Sequence, residues 1–156
     1  MSTDTPEYPS LIAYLKVNDA TAAIEFYKKA FGATERQRLT NPETGKIGHC
    51  ELDLNGSLIM LADEQPGFGK SATTLGGTPV TFCLTVENTD AAIERAIAAG
   101  ATSQMPVMDM FYGFRCGSIR DPFGHEWMLQ HPIENVSHDE LQKRWSQMVQ
   151  KDCPGT

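Results

Sequence analysis

His49 and Glu51 are the pair of side chains in this sequence whose types and spacing best fit acid–base chemistry. They lie two residues apart in a segment over 46–54 that predicts a strand, so both project from one face, their Cβ atoms roughly 6–7 Å apart. The intervening Cys50 and the flanking Leu52 face the opposite side, toward a helix layer. The pair is either a general base with an orienting carboxylate, which makes both residues catalytic, or a hydrogen-bonded polar pair lining a cavity.

Arg115 is the second candidate, on a predicted strand over 113–120. Strand alternation predicts that Arg115 and Gly117 share the face that looks into the cavity. A guanidinium in a mostly apolar cavity requires an anion, which is either Glu51 in an internal salt bridge or the carboxylate or phosphate of a ligand. Gly117 has no side chain and leaves room for such a ligand.

A methionine- and aromatic-rich segment precedes that strand. Its members are Met105, Met108, Met110, Phe111 and Tyr112. Soft side chains of this kind adapt to varied apolar ligands. The segment is therefore either a lid over the cavity, with Phe111 among the ligand contacts, or filler of the core or of an interface.

The four cysteines show no CxxC spacing, and the first three lie in apolar segments, which predicts free buried thiols in a reducing compartment. Thr81 and Cys83 alternate onto one face of a predicted strand over 79–86, which we expect to be the cavity face. The Cys83 thiol is either reactive because Arg115 lies close to it, or buried and inert.

The composition indicates one domain over residues 1–156. The chain has 40% hydrophobic residues and a formal net charge of -7. A chain of 156 residues can bury a hydrophobic core without stabilisation by disulfide bonds or metal ions. The acidic balance and the scattered Lys and Arg residues argue against nucleic-acid binding. No apolar run or leader pattern is present, so we expect a soluble cytoplasmic protein that does not bind membranes.

An internal repeat with an offset of 68 or 69 residues organises the chain. Leu15–Ile24 is echoed by Leu84–Ile93, and Phe31–Thr34 is echoed by Ala99–Thr102. Each copy predicts a strand, a capped helix that ends at a glycine, and three further strands. The predicted parts are module one over 9–62, a surface linker over 63–78, module two over 79–133 and a C-terminal helix over 137–150. The strands are predicted over 11–17, 34–40, 46–54 and 57–62 in module one, and over 79–86, 101–105, 113–120 and 125–131 in module two.

Two tandem βαβββ modules with these motifs resemble the glyoxalase/bleomycin-resistance, or vicinal oxygen chelate, superfamily. The helix entry Val17-Asn18-Asp19-Ala20 and the hairpin from Ile119 to Trp127 carry the resemblance over about residues 9–133. The segment from Phe111 to Trp127 is similar to the PhnB-like branch. The resemblance implies an α+β fold, a curved barrel-like mixed sheet around a ligand cavity, and a homodimer.

In the metal-dependent members of that superfamily, four His or Glu positions hold the metal. The resemblance places these positions at Ile12, Met60, Thr81 and Met128. Isoleucine has no lone pair, methionine is a soft ligand and a neutral threonine hydroxyl is a weak one. The neighbouring residues, Leu58, Cys83, Glu126 and Gln130, do not form a four-ligand set either. We therefore expect neither a standard metal site nor a cofactor.

The leading prediction is a metal-independent, homodimeric small-molecule-binding protein that sequesters an antibiotic or a metabolite. The net charge would suit a cationic ligand. The alternative is a lyase or isomerase that uses His49 or Glu51 to abstract a proton next to a carbonyl, with or without a nonstandard divalent metal. The predicted ligand-binding residues are His49, Glu51, Met60, Thr81, Cys83, Phe111, Arg115 and Met128.

Overall fold

The computed structural model describes residues 7–152, and these form two βαβββ modules and a C-terminal helix, which confirms the predicted fold class. Module one consists of β1 (Ala13–Val17), α1 (Ala20–Phe31), β2 (Thr34–Thr40), β3 (Ile47–Leu54) and β4 (Ser57–Asp63). The short helix α2 (Ala72–Leu75) follows. Module two consists of β5 (Thr81–Thr85), α3 (Thr89–Ala98), β6 (Thr102–Asp109), β7 (Phe114–Arg120) and β8 (Glu126–Pro132). Helix α4 (His138–Asp152) ends the described chain.

Local side-chain chemistry sets the element ends. The Asp19 side chain accepts a hydrogen bond from the backbone of α1, and Asn88 does the same for α3. Gly32 ends α1 in the left-handed conformation that glycine favours. The two-residue turn between β3 and β4 has φ 53° at Asn55 and 89° at Gly56, which fits the tight hairpin predicted there.

The two modules form separate four-stranded sheets with the same topology. The strand orders are β1-β4-β3-β2 and β5-β8-β7-β6, with one parallel pair in each sheet. Within residues 7–152 no strand of one sheet pairs with the other. Each module thus forms its own mixed sheet, and the two sheets do not close into a barrel. Each sheet keeps one face on the helices; we call the opposite face the open face of that module.

The core lies between the sheets and the helices, and it is continuous across the modules. The Trp127 ring of β8 packs against Tyr27 and Phe31 of α1, with ring centroids 5.5 and 4.8 Å away. The buried Asp121 carboxylate accepts hydrogen bonds from the Tyr27 hydroxyl and the Trp127 indole N–H. One polar group thus joins the helix of module one to the sheet of module two.

The segment between the modules is more ordered than a predicted surface linker over 63–78. Asp63 belongs to β4, and its buried carboxylate accepts from the backbone N–H groups of Ala20 and Ile47. After β4, the Ser71 side chain caps α2 and the Glu64 carboxylate accepts from the Ser71 N–H. Buried backbone donors need such acceptors, which ties this segment to module one.

Helix α4 lies on the surface and has no buried residue. Its Arg144 donates to the Phe111 carbonyl and to the Glu134 carboxylate, which fixes the helix against module two. The Trp145 side chain is 53% exposed. Among residues 7–152, no helix has both the length and the apolar character needed to span a membrane.

Candidate functional site

His49 and Glu51 lie side by side on the open face of module one, as the strand period predicts. The intervening Cys50 is fully buried toward α1, which fixes the direction of its neighbours. His49 Nε2 lies 3.2 Å from Glu51 Oε1. Glu51 is only 3% exposed, so this carboxylate depends on the groups around it for hydrogen bonds.

Two tyrosines that sequence reasoning missed complete the site. The Tyr14 hydroxyl of β1 lies 2.8 Å from His49 Nδ1, and the Tyr8 hydroxyl donates to Glu51 Oε1 at 2.9 Å. Tyr14 pairs with Met60, and Met60 pairs with Glu51 across the next strand, so the strand register brings Tyr14 to this site. Met60 therefore lies on the same open face, as predicted.

The four side chains form one hydrogen-bonded chain, which we call the Tyr14 relay: Tyr14, His49, Glu51 and Tyr8. An ionised Glu51 only accepts, so it takes the Nε2–H of His49. In the neutral imidazole, His49 Nδ1 is then the acceptor for the Tyr14 hydroxyl. Both ring nitrogens of His49 are thus engaged, and the chain ends at Tyr14, a residue that is 37% exposed.

The electrostatics of the Tyr14 relay hold Glu51 ionised and Tyr14 protonated. Burial raises the pKa of Glu51, but hydrogen bonds from His49 and Tyr8 outweigh it, so the pKa lies below its usual value. Burial is also the largest cause that raises the pKa of Tyr14, followed by the charges of Cys50 and Glu51. Tyr14 is therefore a phenol rather than a phenolate, and its hydroxyl lies beside His49 Nδ1 and the Gly48 carbonyl.

Glu51 is expected to make stability depend on pH in acid. Because its pKa is lowered on folding, the stabilisation is present above the unfolded value of about 4.3 and is lost as pH falls through the folded-state pKa. The Glu51→Gln variant should therefore show a flatter fall of Tm than wild type below about pH 5. Thermal unfolding between neutral and acid pH measures this, with exposed Glu43→Gln as the control; parallel curves for wild type and Glu51→Gln would contradict it.

The prediction that Arg115 faces the ligand cavity is wrong. On β7 it is Cys116 and Ser118 that pair with the open-face residues of β8, so Arg115 and Gly117 face the helix side. Arg115 donates to Asp90 of α3 at 2.7 Å and to Asp109 of β6 at 2.8 Å. Of the two alternatives, the internal salt bridge is present, with these partners instead of Glu51.

Gly117 likewise leaves no room for a ligand. A Cβ atom there would lie 2.9 Å from Val107 Cγ2 and 3.0 Å from Ile93 Cγ1. The missing side chain allows α3 and β6 to pack closely on β7.

The open face of module two carries the other predicted side chains. Thr81 and Cys83 lie on one face of β5, opposite the core residue Leu84, and Cys83 pairs with Met128 of β8. Cys83 is exposed, which corrects the expected burial of its thiol. Cys116 is buried on this face, with its Sγ 3.3 Å from the Tyr112 hydroxyl. Burial and this contact raise the pKa of Tyr112 to about 12.

Phe111 supports the C-terminal helix. Its ring lies 5.2 Å from that of Tyr112 and 6.0 Å from that of Trp145, and its carbonyl accepts from Arg144. Met105 and Met108 belong to β6 and pair with Ser118 and Cys116. The ligand-binding role of Phe111 remains a prediction, as it does for the other predicted residues.

The donor set does not fit a divalent-metal site. Tyr14 pairs with Met60 and Cys83 pairs with Met128, so equivalent open-face positions of the two modules hold a phenol, a thiol and two thioethers. No three His, Cys, Asp or Glu side chains cluster in a metal-binding arrangement within residues 7–152. Divalent ions such as Zn²⁺, Fe²⁺ and Mn²⁺ are held in proteins by carboxylate and imidazole groups, and the Tyr14 relay offers one of each, already bonded to each other.

A cleft of about 700 Å³ lies elsewhere, between the end of α1 and the start of α3. Its walls include Phe31, Val86, Ala92 and Arg95. None of the residues of the Tyr14 relay lines it. The Tyr14 relay therefore belongs to the open face of module one and not to this cleft.

Comparison with known proteins identifies the family. The model of the Glyoxalase/Bleomycin resistance protein/Dioxygenase superfamily matches residues 11–129. An uncharacterized protein of Mycobacterium tuberculosis is 45% identical over 142 residues, which cover 88% of this chain and 83% of that protein. The crystal structure of an Arabidopsis thaliana gene product is 29% identical and covers 80% of this chain and 98% of its own, with a TM-score of 0.63. A PhnB protein from Bacillus cereus, 19% identical with a TM-score of 0.60, covers 79% of this chain and 99% of its own and shares the fold. The chain belongs to the glyoxalase/bleomycin resistance protein/dioxygenase superfamily, as its tandem modules predict.

Proposed function

We propose that this protein binds a small organic molecule on the open face of module one, without a divalent metal. The observation that carries the proposal is the Tyr14 relay, in which the 3% exposed carboxylate of Glu51 and the imidazole of His49 connect to the hydroxyl of the partly exposed Tyr14. A few fixed polar groups on a partly apolar wall are typical of ligand sites. Met60 supplies an adaptable apolar contact between Tyr14 and Glu51.

A second copy of the chain is proposed to cover this face. Side chains around it expose apolar surface, including Tyr8 at 46%, Leu39 at 55% and Phe68 at 47%. Exposed apolar surface near a polar cluster marks interaction sites, and a homodimer would turn an open sheet face into a closed cavity. We place this homodimer in the cytoplasm, where its free cysteines would stay reduced.

Methyl NMR of the methionines tests the proposal. Met60 reports on the open face of module one, and Met148 on exposed α4 is the internal reference. In a screen of small aromatic and aliphatic fragments with EDTA present, we expect the Met60 methyl signal to shift while that of Met148 stays. The proposal would be contradicted if the shifts required added metal, or if no fragment shifted the Met60 methyl signal.

An enzyme is the second candidate. The hydrogen bonds of the Tyr14 relay favour Tyr14 as the group that receives the proton of the substrate. The oxygen of Tyr14 has lone pairs free to take a proton from a carbon next to a carbonyl, while its own proton moves to His49 Nδ1. The resulting imidazolium would be stabilised by Glu51. The raised pKa of Tyr14 opposes this step, which is why binding ranks first.

Deuterium exchange into pyruvate separates the two functions. The enzyme predicts exchange in D₂O that is lost in both Tyr14→Phe and His49→Gln. The binding protein predicts that wild type exchanges no faster than buffer.

A further inference from the structure

Lys16 lies on the open face of module one, beside the Tyr14 relay. It stands two residues after Tyr14 on β1, opposite the buried side chains of Leu15 and Val17. Its Nζ lies 3.8 Å from the centroid of the Tyr14 ring and 4.1 Å from that of Phe68. The ammonium group therefore sits between two aromatic faces at the edge of the proposed ligand site.

The segment after β4 holds this arrangement in place. A bridge between Gln65 and Gly69 closes a tight loop that presents Phe68. A Cβ atom at Gly69 would lie 3.2 Å from Lys16 Cε, so the lysine stem packs closely on the loop backbone. The position of the ammonium is thus set by packing.

Within residues 7–152, Lys16 has no counter-ion. No carboxylate oxygen of the described residues lies within 4.0 Å of its Nζ, and its three N–H donors make no hydrogen bond to any of residues 7–152. Burial lowers the pKa of Lys16, as expected for an ammonium whose charge is not compensated. Several other basic side chains do have carboxylate partners, namely Lys28, Arg38, Arg115, Arg120 and Arg144.

Arg36 adds a second positive charge at the other end of the relay. It lies in a bulge of β2 between the paired residues Glu35 and Gln37, and its guanidinium is 5.6 Å from the centroid of the Tyr8 ring. No carboxylate of the described residues forms an ion pair with it. The Glu51 carboxylate accepts hydrogen bonds from His49 and Tyr8. Lys16 and Arg36 are thus two cationic groups beside the Tyr14 relay without an ion-pair partner among residues 7–152.

We propose that the ligand of the open face is a small organic anion with an aromatic or unsaturated body, its acid group held by Lys16. A carboxylate or phosphonate oxygen would receive the free N–H donors of Lys16, and the flat body would lie against the Tyr14 and Phe68 rings. This inference rests on the proposed binding function. It replaces the cationic ligand that the net charge alone suggests with an anionic one.

Three probes with the same benzyl body and different charges test the inference: benzylphosphonate, benzyl alcohol and benzylamine. Each is titrated at neutral pH into the full chain, with the Met60 methyl signal as the readout. We expect benzylphosphonate to bind at least about tenfold more tightly than the other two, since one charged hydrogen bond accounts for such a factor. Lys16→Gln should remove that preference, while Lys16→Arg should keep most of it.

The matched control is Lys143→Gln on exposed α4, which changes the net charge equally and should leave the preference intact. Equal affinity for the three probes, or an unchanged preference in Lys16→Gln, would overturn the anion inference while leaving the binding function standing. If no probe moves Met60 in wild type, the open face is not a ligand site, and both the proposed function and this inference fail.

Discussion

Replacing Glu51 by alanine is expected to weaken ligand binding on the open face of module one at least about tenfold. Glu51 is the acceptor that selects the His49 tautomer, and without it the Nε2–H of His49 and the hydroxyl of Tyr8 lose their partner. Without that acceptor the orientation of His49 is no longer fixed, and a cost of about 1.4 kcal/mol on the bound geometry is tenfold in affinity. The hydroxyl of Tyr14 then no longer has a fixed orientation.

Glu51→Gln separates the charge of Glu51 from its volume. The Tyr8 hydroxyl and His49 Nε2 both bond to Oε1 of Glu51, so the amide oxygen of a glutamine can accept from both. The substitution removes the charge that strengthens these hydrogen bonds and keeps the orientation of His49. We therefore expect Glu51→Gln to fold close to wild type and to lose less affinity than Glu51→Ala.

Titration of a fragment that shifts Met60 measures this effect, with Tm recorded for each variant. Asp53→Ala is the matched control, because Asp53 projects from the same strand face but accepts only from the local Gly56 N–H. Wild-type affinity in a folded Glu51→Ala variant would show that the Tyr14 relay does not hold the ligand.

The sequence predicts the pair of His49 and Glu51 correctly because a strand has a fixed period of two. It does not reach Tyr8 or Phe68, since both lie outside regular strands and reach the site through loop geometry. Tyr14 could be found only through the strand register, because β1 and β3 do not pair with each other but meet through β4. Non-local pairing of this kind has no local sequence signal.

Arg115 shows how a one-residue error changes the face of a side chain. Met60 and Met128 are 68 residues apart, as in the repeat, but their partners Glu51 and Ser118 are only 67 apart. The cause is loop length. Asp53 and Leu58 pair across four residues, whereas the equivalent Arg120 and Glu126 pair across five. The repeat therefore gives the correct fold and topology, and places Arg115 on the wrong side of the sheet.

Asp121 lies in the turn before β8, and its side chain makes the main polar contact between the two modules. It is 3% exposed, and its carboxylate accepts from the Tyr27 hydroxyl at 2.6 Å and the Trp127 indole at 2.9 Å. It also accepts from the backbone N–H groups of Phe123 and His125, at 2.9 and 3.0 Å. A buried carboxylate with four donors is fully satisfied, so its removal leaves all four without a partner.

Asp121→Ala is therefore expected to lower the free energy of unfolding by about 3–5 kcal/mol, which corresponds to a fall in Tm of roughly 6–20 °C for a chain of this size. Tyr27→Phe, which removes one of the four donors and keeps the ring, should cost only about 1 kcal/mol. Urea unfolding at neutral pH measures both, with Asp152→Ala at the exposed end of α4 as the control. If Asp121→Ala costs no more than Tyr27→Phe, the carboxylate does not join the modules, and the apolar contacts of Trp127 with α1 must hold them together instead.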